Sequence, residues 1–296
     1  MFKTIINAWK IADLRKKMLF TALIVFIFRL GAALPVPFVN ISGGLISDQN
    51  ANNFMTYLSM MTGDAFNYGT LFAMSITPYI NASIIIELLT VAIPALERLA
   101  KEGEEGRKKI STITRYSSVV LALMQSTAYY FYIRSQNYLS LDADGNKFTG
   151  FFAVLQAITI IFCYTAGASL IMWLGEQINE KGIGNGISII LFAGIVSRMP
   201  TTLYSLYSYM DKGGAYYALA PIAFVSLILM IGFIVWMDNA ERRIPVQYAK
   251  RVVGRKMYGG QSTHIPIKVN MCGVLPIIFA SSILSLPPTI QMFVTV

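Results

Sequence analysis

The residue types that carry enzyme chemistry are scarce in this sequence. It holds one histidine, His264, in a basic loop, and its two cysteines, Cys163 and Cys272, both fall in apolar runs. Its histidines, cysteines and carboxylates show no metal-ligand spacing. The three glycines of KGIGNGIS (181–188) lie between two apolar runs, whereas a phosphate-binding loop would follow a strand. The sequence therefore predicts a protein that is not an enzyme and binds no cofactor or metal, with a tight turn at these glycines.

Ionisable residues well inside the apolar runs are limited to Arg29 and Glu87. Carriers that couple solute movement to protons or ions place charged groups within their spans. Two scattered charges make a poor relay, so a secondary transporter for a small solute is kept only as the alternative function. A carboxylate at the membrane centre costs about 2.5–3.5 kcal/mol, so we expect Glu87 to face a watery cytoplasmic funnel.

Pairs of aliphatic side chains with helical spacing form the most regular pattern in the chain. Ile76 and Ile80 lie four residues apart in ITPYINASIIIELL, and Ile187 and Leu191 repeat the spacing just after the glycine turn. Positions four apart share one face of a helix. By spacing alone, both pairs are typical of ordinary core packing.

The apolar runs that would position these residues are long enough to cross a membrane. Apolar residues make up 55% of the chain and charged residues 13%, against about 25% charged in soluble proteins. About 20 helical residues cross a bilayer, and helices leave no backbone group unpaired in lipid. We therefore predict an all-α polytopic membrane protein with about seven transmembrane helices. The predicted spans are residues 18–34, 70–93, 113–133, 151–174, 185–205, 217–237 and 270–292.

Proline and the basic residues add local predictions to this layout. Pro78 lies near the start of the second span and predicts a helix that bends or moves there. Of the 24 lysines and arginines, 19 fall at the N-terminus and in the loops after the second, fourth and sixth spans. The positive-inside rule therefore predicts a cytoplasmic N-terminus. AWKIADLRKKM (8–18) is predicted to be an amphipathic helix at the inner membrane surface.

Two segments between the spans are longer than turns. Residues 35–69 lie on the predicted outer side and contain a Met-rich piece, 54–62, that is apolar but too short to span. Residues 238–268 form the largest predicted cytoplasmic loop, where VQYAKRVV followed by two glycines favours a small β-hairpin. Its basic residues could merely orient the chain and contact anionic lipid, which explains their sign but not the length of the loop.

Five blocks of sequence carry a resemblance to a known family. They are SITPYINASIIIELLT (75–90), KEGEEGRKKISTITRY (101–116), MWLGEQINEKGIGNGISIILFAGI (172–195), RRIPVQYAKR (242–251) and QSTHIPIKVNMCGVLPIIFASSIL (261–284). In order and register they resemble the SecY family, the channel subunits of bacterial Sec translocons. That family has ten spans in two inverted halves around a pore. The resemblance implies an N-terminal half at 1–210, with a surface helix and spans one to five. It implies an incomplete second half at 211–296.

The resemblance also implies three structural devices. In the family a ring of apolar side chains closes the pore, and such a ring excludes ions by dewetting. A lateral gate between spans two and seven opens towards lipid, and a short plug helix fills the outer funnel. The matching ring positions are Ile76, Ile80, Ile187, Leu191 and Ile278. The matching gate positions are Thr77, Asn81 and Leu286. The plug, residues 54–67, includes Met55, Leu58, Met60, Met61 and, at its solvated end, Asp64.

The function implied by the resemblance is that of a pore-forming subunit. It would translocate unfolded polypeptides across, and insert apolar segments into, the bacterial cytoplasmic membrane, after recognising their signal sequences. The implied partners are the SecE and SecG subunits, the SecA motor ATPase, the ribosome through its RNA at the tunnel exit, and anionic lipids. The implied docking residues are Arg242, Arg243, Lys250, Arg251, Arg255, Lys256, Arg107, Lys108 and Lys109. A third alternative, a structural membrane scaffold, leaves the aligned isoleucines and the basic loop unexplained.

Overall fold

A computed structural model describes most of the chain. The described residues are 9–41, 43–45, 56, 59–60, 62–140, 148, 150–211, 216–246, 251–253, 256–258, 263–270, 273, 280 and 284. The chain divides into two compact units, residues 1–200 with 282–296, and residues 201–281. The helices are α1 (Ala12–Gly31), α2 (Thr77–Ala92), α3 (Pro94–Lys101), α4 (Glu104–Ser135), α5 (Phe151–Lys181), α6 (Gly186–Ser197), α7 (Met199–Asp211) and α8 (Tyr216–Asp238). The strands are β1 (Glu241–Val246), β2 (Arg251–Val253), β3 (Lys256–Tyr258) and β4 (Thr263–Lys268).

The helical content and the apolar spans confirm a helical, polytopic membrane protein. In the described part, three helical stretches are long and apolar enough to cross a membrane: α5, α6 with α7, and α8, with mean hydropathies of 1.9, 1.5 and 2.7. The bent pair α2 and α3 is a fourth candidate. Helix α1 covers residues 18–31 of the predicted span 18–34, and α4 covers the predicted span 113–133, but each begins in charged sequence. Nearly all of the predicted span 270–292 lies outside the described residues.

The second predicted span, 70–93, starts seven residues before helix α2 and ends within one residue of its end. Residues 63–76 form turns apart from a bridge at Thr70, and helix α2 begins only at Thr77. Pro78 lies in the first turn, where a helix needs no backbone donor, so the predicted bend at this proline is wrong. The chain instead bends by 101° at Ile93, because Pro94 ends α2 and starts α3. Hydropathy could not separate buried apolar turns from a helix.

Two predicted surface segments belong to longer helices. Residues from Ala12 onward in the predicted surface helix 8–18 continue into the first span as α1, since no helix-breaking residue follows. Residues 97–112, in the loop predicted between the spans 70–93 and 113–133, are almost entirely helical, with only the turn at 102–103 between α3 and α4. Gly106 of α4 approaches the Leu99 carbonyl so closely that a side chain would not fit there. This close approach holds α3 against the start of α4.

Two apolar clusters form the core of the first unit. One surrounds the buried rings of Tyr129 and Tyr164, whose centroids lie 5.1 Å apart with the rings edge to face. The other joins α1, α2, α5 and α6. In this second cluster Phe28 stacks on Phe72 at 5.9 Å, and Gly31 lets the Phe72 ring lie directly against α1. The second cluster carries the candidate site.

The second unit contains helix α8 and two antiparallel ribbons. Strands β2 and β3 form the small hairpin that the sequence predicts, with Arg251 opposite Tyr258. Strands β1 and β4 form a longer ribbon that the sequence analysis did not predict, with Ile244 opposite Ile265. Its strands are separated by 16 residues of loop and hairpin, so no short-range signal announces the pairing.

Candidate pore constriction

The glycine turn between α5 and α6 is a structural joint, in agreement with the prediction from its sequence. The side chain of Asn185 caps α6 by accepting hydrogen bonds from the backbone amides of Ile187 (3.0 Å) and Ser188 (3.5 Å). The side-chain oxygen of Asn179 accepts from the amide of Gly186 at 2.7 Å. These bonds fix where α6 begins and therefore which of its side chains face α5.

Gly186 lets α6 approach the backbone of α5 closely beside this joint. A Cβ on Gly186 would overlap the carbonyl of Gly175 on α5, so only glycine fits at Gly186. A Cβ on Gly175 would lie 3.6 Å from Ile76 Cδ1 and 3.8 Å from Ile187 Cγ1. Side chains from α6 and from the start of α2 therefore meet at the backbone of Gly175, which we call the floor of the cluster.

Four of the predicted ring residues lie in the same apolar cluster. Ile76 is a buried member of the cluster that joins α1, α2, α5 and α6, and Ile80, Ile187 and Leu191 pack against it. Both pairs with four-residue spacing therefore converge, although they come from distant parts of the sequence. The fifth predicted ring residue, Ile278, lies outside the described residues.

The four positions differ in burial. Ile76 is 1% exposed and precedes the first residue of α2, with its carbonyl accepting from the amide of Ile80 at 3.1 Å. Ile80, Ile187 and Leu191 are half-buried, so each keeps an apolar surface that the cluster does not cover. In this structure Ile76 contributes packing, while the other three combine packing with a free apolar face. Their role as a ring stays a prediction.

The predicted gate residues flank this cluster on α2. Thr77 is half-buried at the first helical position, and Asn81 is 8% exposed. Leu286, the predicted partner position, lies outside the described residues. Glu87 is exposed towards the end of the same helix, and its position in a watery funnel stays a prediction. The gate assignment stays a prediction.

The predicted plug is described only in part, since Met55, Leu58 and Met61 lie outside the described residues. Met60 is 53% exposed. Asp64 does not form a solvated end as predicted: its side chain is 22% exposed and pairs with Arg198, at 2.9 Å between Oδ2 and Nε. The sequence analysis missed Arg198, because no local pattern reports a pair so distant in sequence.

The predicted docking residues occupy two places. Arg107, Lys108 and Lys109 are exposed on the first turns of α4. Arg242 and Arg243 are exposed on β1, where alternation directs them to opposite faces of the ribbon. Arg251 and Lys256 belong to the hairpin of β2 and β3, whereas Lys250 and Arg255 lie outside the described residues.

One ion pair that the sequence analysis missed joins two membrane helices. Arg115 of α4 contacts Glu176 of α5 at 2.6 Å between Nε and Oε1. One turn further along α4, the hydroxyl of Ser118 lies 3.1 Å from the sulfur of Met172. These contacts hold α4 against the helix that carries Gly175, and thus support the floor of the cluster.

Comparisons with known proteins show which family this chain resembles. The SecY family model matches residues 70–296, more than half of the chain. The protein translocase subunit SecY of Streptomyces scabiei is 42% identical over 296 residues, which cover 99% of this chain and 68% of the relative.

Two solved structures share the fold at low sequence identity. One is a SecY channel whose plug domain is described as stabilising the closed state, with a TM-score of 0.61 and 17% identity. It covers 94% of this chain and 57% of that one. The other is Sec61 in the canine ribosome–channel complex, with a TM-score of 0.61, 19% identity, and coverage of 94% and 58%. This chain therefore spans less than two thirds of the solved channel chains.

Fold and site together define a polytopic helical membrane protein with an apolar cluster at the junction of its spans. The family-model match and the identity to a bacterial relative then identify the family: the chain belongs to the SecY family. This assignment gives no support to the alternative of a small-solute transporter.

Proposed function

We propose that this chain is the pore-forming subunit of a protein-conducting channel in the bacterial cytoplasmic membrane, with its N-terminus in the cytoplasm. It would translocate unfolded polypeptides and release apolar segments sideways into lipid. The observation that carries the proposal is the convergence of Ile76, Ile80, Ile187 and Leu191 in one apolar cluster of a SecY-family fold. The proposal assigns no enzymatic step to this chain.

The physical properties of the cluster suit a nonspecific passage. A purely aliphatic constriction resists wetting, so ions are excluded without a charged filter. Aliphatic side chains also offer no hydrogen bonds or charges to a passing chain, so they retain no particular sequence. Ile80, Ile187 and Leu191 would supply this surface, and Ile278 would complete it.

The lateral gate would lie along α2. Thr77 and Asn81 bring polar groups to the first turns of α2, opposite the proposed position of Leu286. Hydrogen bonds between membrane helices average about 0.6 kcal/mol, which suits a seam that must open and close. Signal sequences and other apolar segments would leave the channel through this seam.

The energy and the partners would come from outside this chain. We propose that SecE and SecG complete the channel, and that the SecA motor or the ribosome drives the polypeptide. The Sec61 relative in a ribosome–channel complex supports the ribosome as a partner of this fold. The ribbon of β1 and β4 and the hairpin of β2 and β3 would form the main docking surface, assisted by the start of α4.

Neutralising arginines of the ribbon tests the docking role. We expect Arg242→Gln and Arg243→Gln each to weaken ribosome binding, because each removes a cation that can pair with RNA phosphate. The slope of log affinity against log salt should fall by about 0.7–0.9 for each phosphate that is no longer neutralised. Binding of purified ribosomes to proteoliposomes at several salt concentrations measures it. Arg134→Gln, an exposed cation on the predicted outer side, is the control. Equal slopes in all variants would contradict the docking role.

The proposed function itself is tested by reconstitution. Proteoliposomes with this chain, its partner subunits, SecA and ATP should protect a secretory precursor from added protease. A precursor with a defective signal sequence is the control and should stay unprotected. Equal protection of the two precursors, or none, would contradict the proposal.

A further inference from the structure

The segment from Ser59 to Ala65 docks on the C-terminal end of α6. Gly63 lies so close that a Cβ there would be 2.5 Å from Ser197 Oγ and 2.6 Å from the carbonyl of Gly194. Ser59 and Ala65 are each 2% exposed, and Ala65 belongs to the apolar cluster that holds the ring residues. We call the described residues 59, 60 and 62–65 the docked segment.

A polar triangle holds the docked segment in this position. Arg198, directly after α6, contacts Asp64 at 2.9 Å between Nε and Oδ2, and the hydroxyl of Ser59 donates to Asp64 Oδ1 at 2.9 Å. Arg198 Nη1 also donates to Ser59 Oγ at 3.5 Å. The two charged side chains are 28% and 22% exposed, so water screens the pair only in part.

The chain that follows is anchored by different bonds. The buried hydroxyl of Tyr129 donates to the carbonyl of Phe66, and that of Tyr164 donates to the carbonyl of Gly69 at 2.9 Å. Both tyrosines lie in the other apolar cluster, between α4 and α5. Residues 66–69 are therefore fixed to α4 and α5 by buried neutral bonds. The docked segment is joined to them by the bonds of Thr62 to Phe66 and of Ala65 to Thr70, and it contacts the end of α6 through the close packing of Gly63 and the partly exposed ion pair. Asp64 and Gly63, at the junction, both have positive φ angles, of 70° and 64°.

We propose that Asp64 and Arg198 are a pair of positioning residues that latch the docked segment over the constriction, with residues 66–69 as the fixed pivot. Release of the ion pair loosens the segment from the end of α6, while the bonds of Ala65 to Thr70 and the rest of the core stay in place. The inference rests on the proposed channel function for its biological meaning. Its physical content, a releasable segment, does not depend on that function.

A buried thiol reports the release directly. Ala65→Cys, in a chain with Cys163→Ala and Cys272→Ala, places the only thiol at the buried C-terminal end of the docked segment. Removing one partner of an exposed ion pair costs little free energy, and removing one partner of a buried pair costs much more. The cost for this partly buried pair should fall between the two. We therefore expect Arg198→Gln or Asp64→Asn to raise the alkylation rate of the thiol at position 65 by about tenfold.

Two further variants separate the latch from general loss of structure. The exchanged pair Asp64→Arg with Arg198→Asp should restore slow alkylation, since Ser59 can donate to or accept from either partner. Arg29→Gln, an exposed cation at the end of α1, should leave the rate unchanged. Unchanged alkylation in the single variants, or fast alkylation in an exchanged pair that melts like the parent chain, would overturn the latch.

Failure of the latch and failure of the channel function give different results. Alkylation is measured on the purified chain with its partner subunits and requires no conduction. Idle ion conductance of the same variants in proteoliposomes should rise for Arg198→Gln and return in the exchanged pair. Conductance that stays at the parent level while alkylation rises would overturn the placement of the segment over a pore. A parent complex unable to protect a precursor would instead refute the channel function.

Discussion

Replacing Gly186 with alanine should strongly destabilise the protein. The added Cβ would overlap the carbonyl of Gly175, a backbone atom that cannot rotate away, so α6 must move off α5. Overpacking a tight contact costs about 1–3 kcal/mol, and an overlap with backbone belongs at the upper end. We expect the midpoint of thermal unfolding in detergent to fall by roughly 5–10 °C.

Gly232→Ala provides the matched control for this effect. Gly232 lies inside α8 with open space where its Cβ would be, and alanine favours a helix more than glycine does. Its melting midpoint should stay the same or rise. If Gly186→Ala melts with the parent chain, the close contact between α5 and α6 does not position the constriction.

The substitution Leu191→Asn should make the idle channel leak ions. Leu191 packs at the edge of the cluster with a half-buried side chain, where an amide would attract water. Keeping one leucine side chain out of water is worth about 2 kcal/mol. Asparagine removes this free-energy cost of wetting, which corresponds to about a thirtyfold rise in the population of the wetted state. Idle conductance should rise in proportion. Conductance of proteoliposomes without a translocating chain measures the effect.

The neighbouring residue gives a control on the same helix. Phe192 is 66% exposed and does not belong to the cluster, so Phe192→Asn introduces the same amide outside the proposed constriction. It should leave idle conductance at the parent level. Equal leaks from the two variants would show that a polar residue anywhere on α6 perturbs the channel, and would contradict a ring at Leu191.

Local patterns in the sequence predicted much of the fold. Apolar runs located most of the membrane helices, since a helix in lipid must be apolar over its length. The glycines of residues 181–188 predicted the turn before α6, and the alternation near residue 250 predicted the hairpin of β2 and β3. The equal spacing of Ile76–Ile80 and Ile187–Leu191 singled out four residues that the structure places in one cluster.

What the sequence could not show depends on contacts between distant residues. The turns before Thr77 are as apolar as a membrane helix, so the sequence predicted the start of α2 too early. The sequence also predicted a bend at Pro78, whereas the chain bends just before Pro94. The pairing of Asp64 with Arg198 has no local signal, because each residue alone is typical of a solvated charge. Pairing between β1 and β4 was missed for the same reason.

The most direct test of the central claim is a site-specific crosslink at Ile80. Ile80→Cys is introduced with Cys163→Ala and Cys272→Ala, and the chain is assembled with its partner subunits. A stalled secretory chain that carries a single cysteine is then offered to it. Leu170→Cys, on an exposed part of α5, serves as the control for lipid-facing positions.

The proposal predicts a crosslink at residue 80 that requires an intact signal sequence and does not form at residue 170. Such a crosslink would place Ile80 on the path of the moving polypeptide, where the ring must be. No crosslink at residue 80, with the secretory chain stalled and the complex intact, would leave Ile80 as core packing and would contradict the constriction.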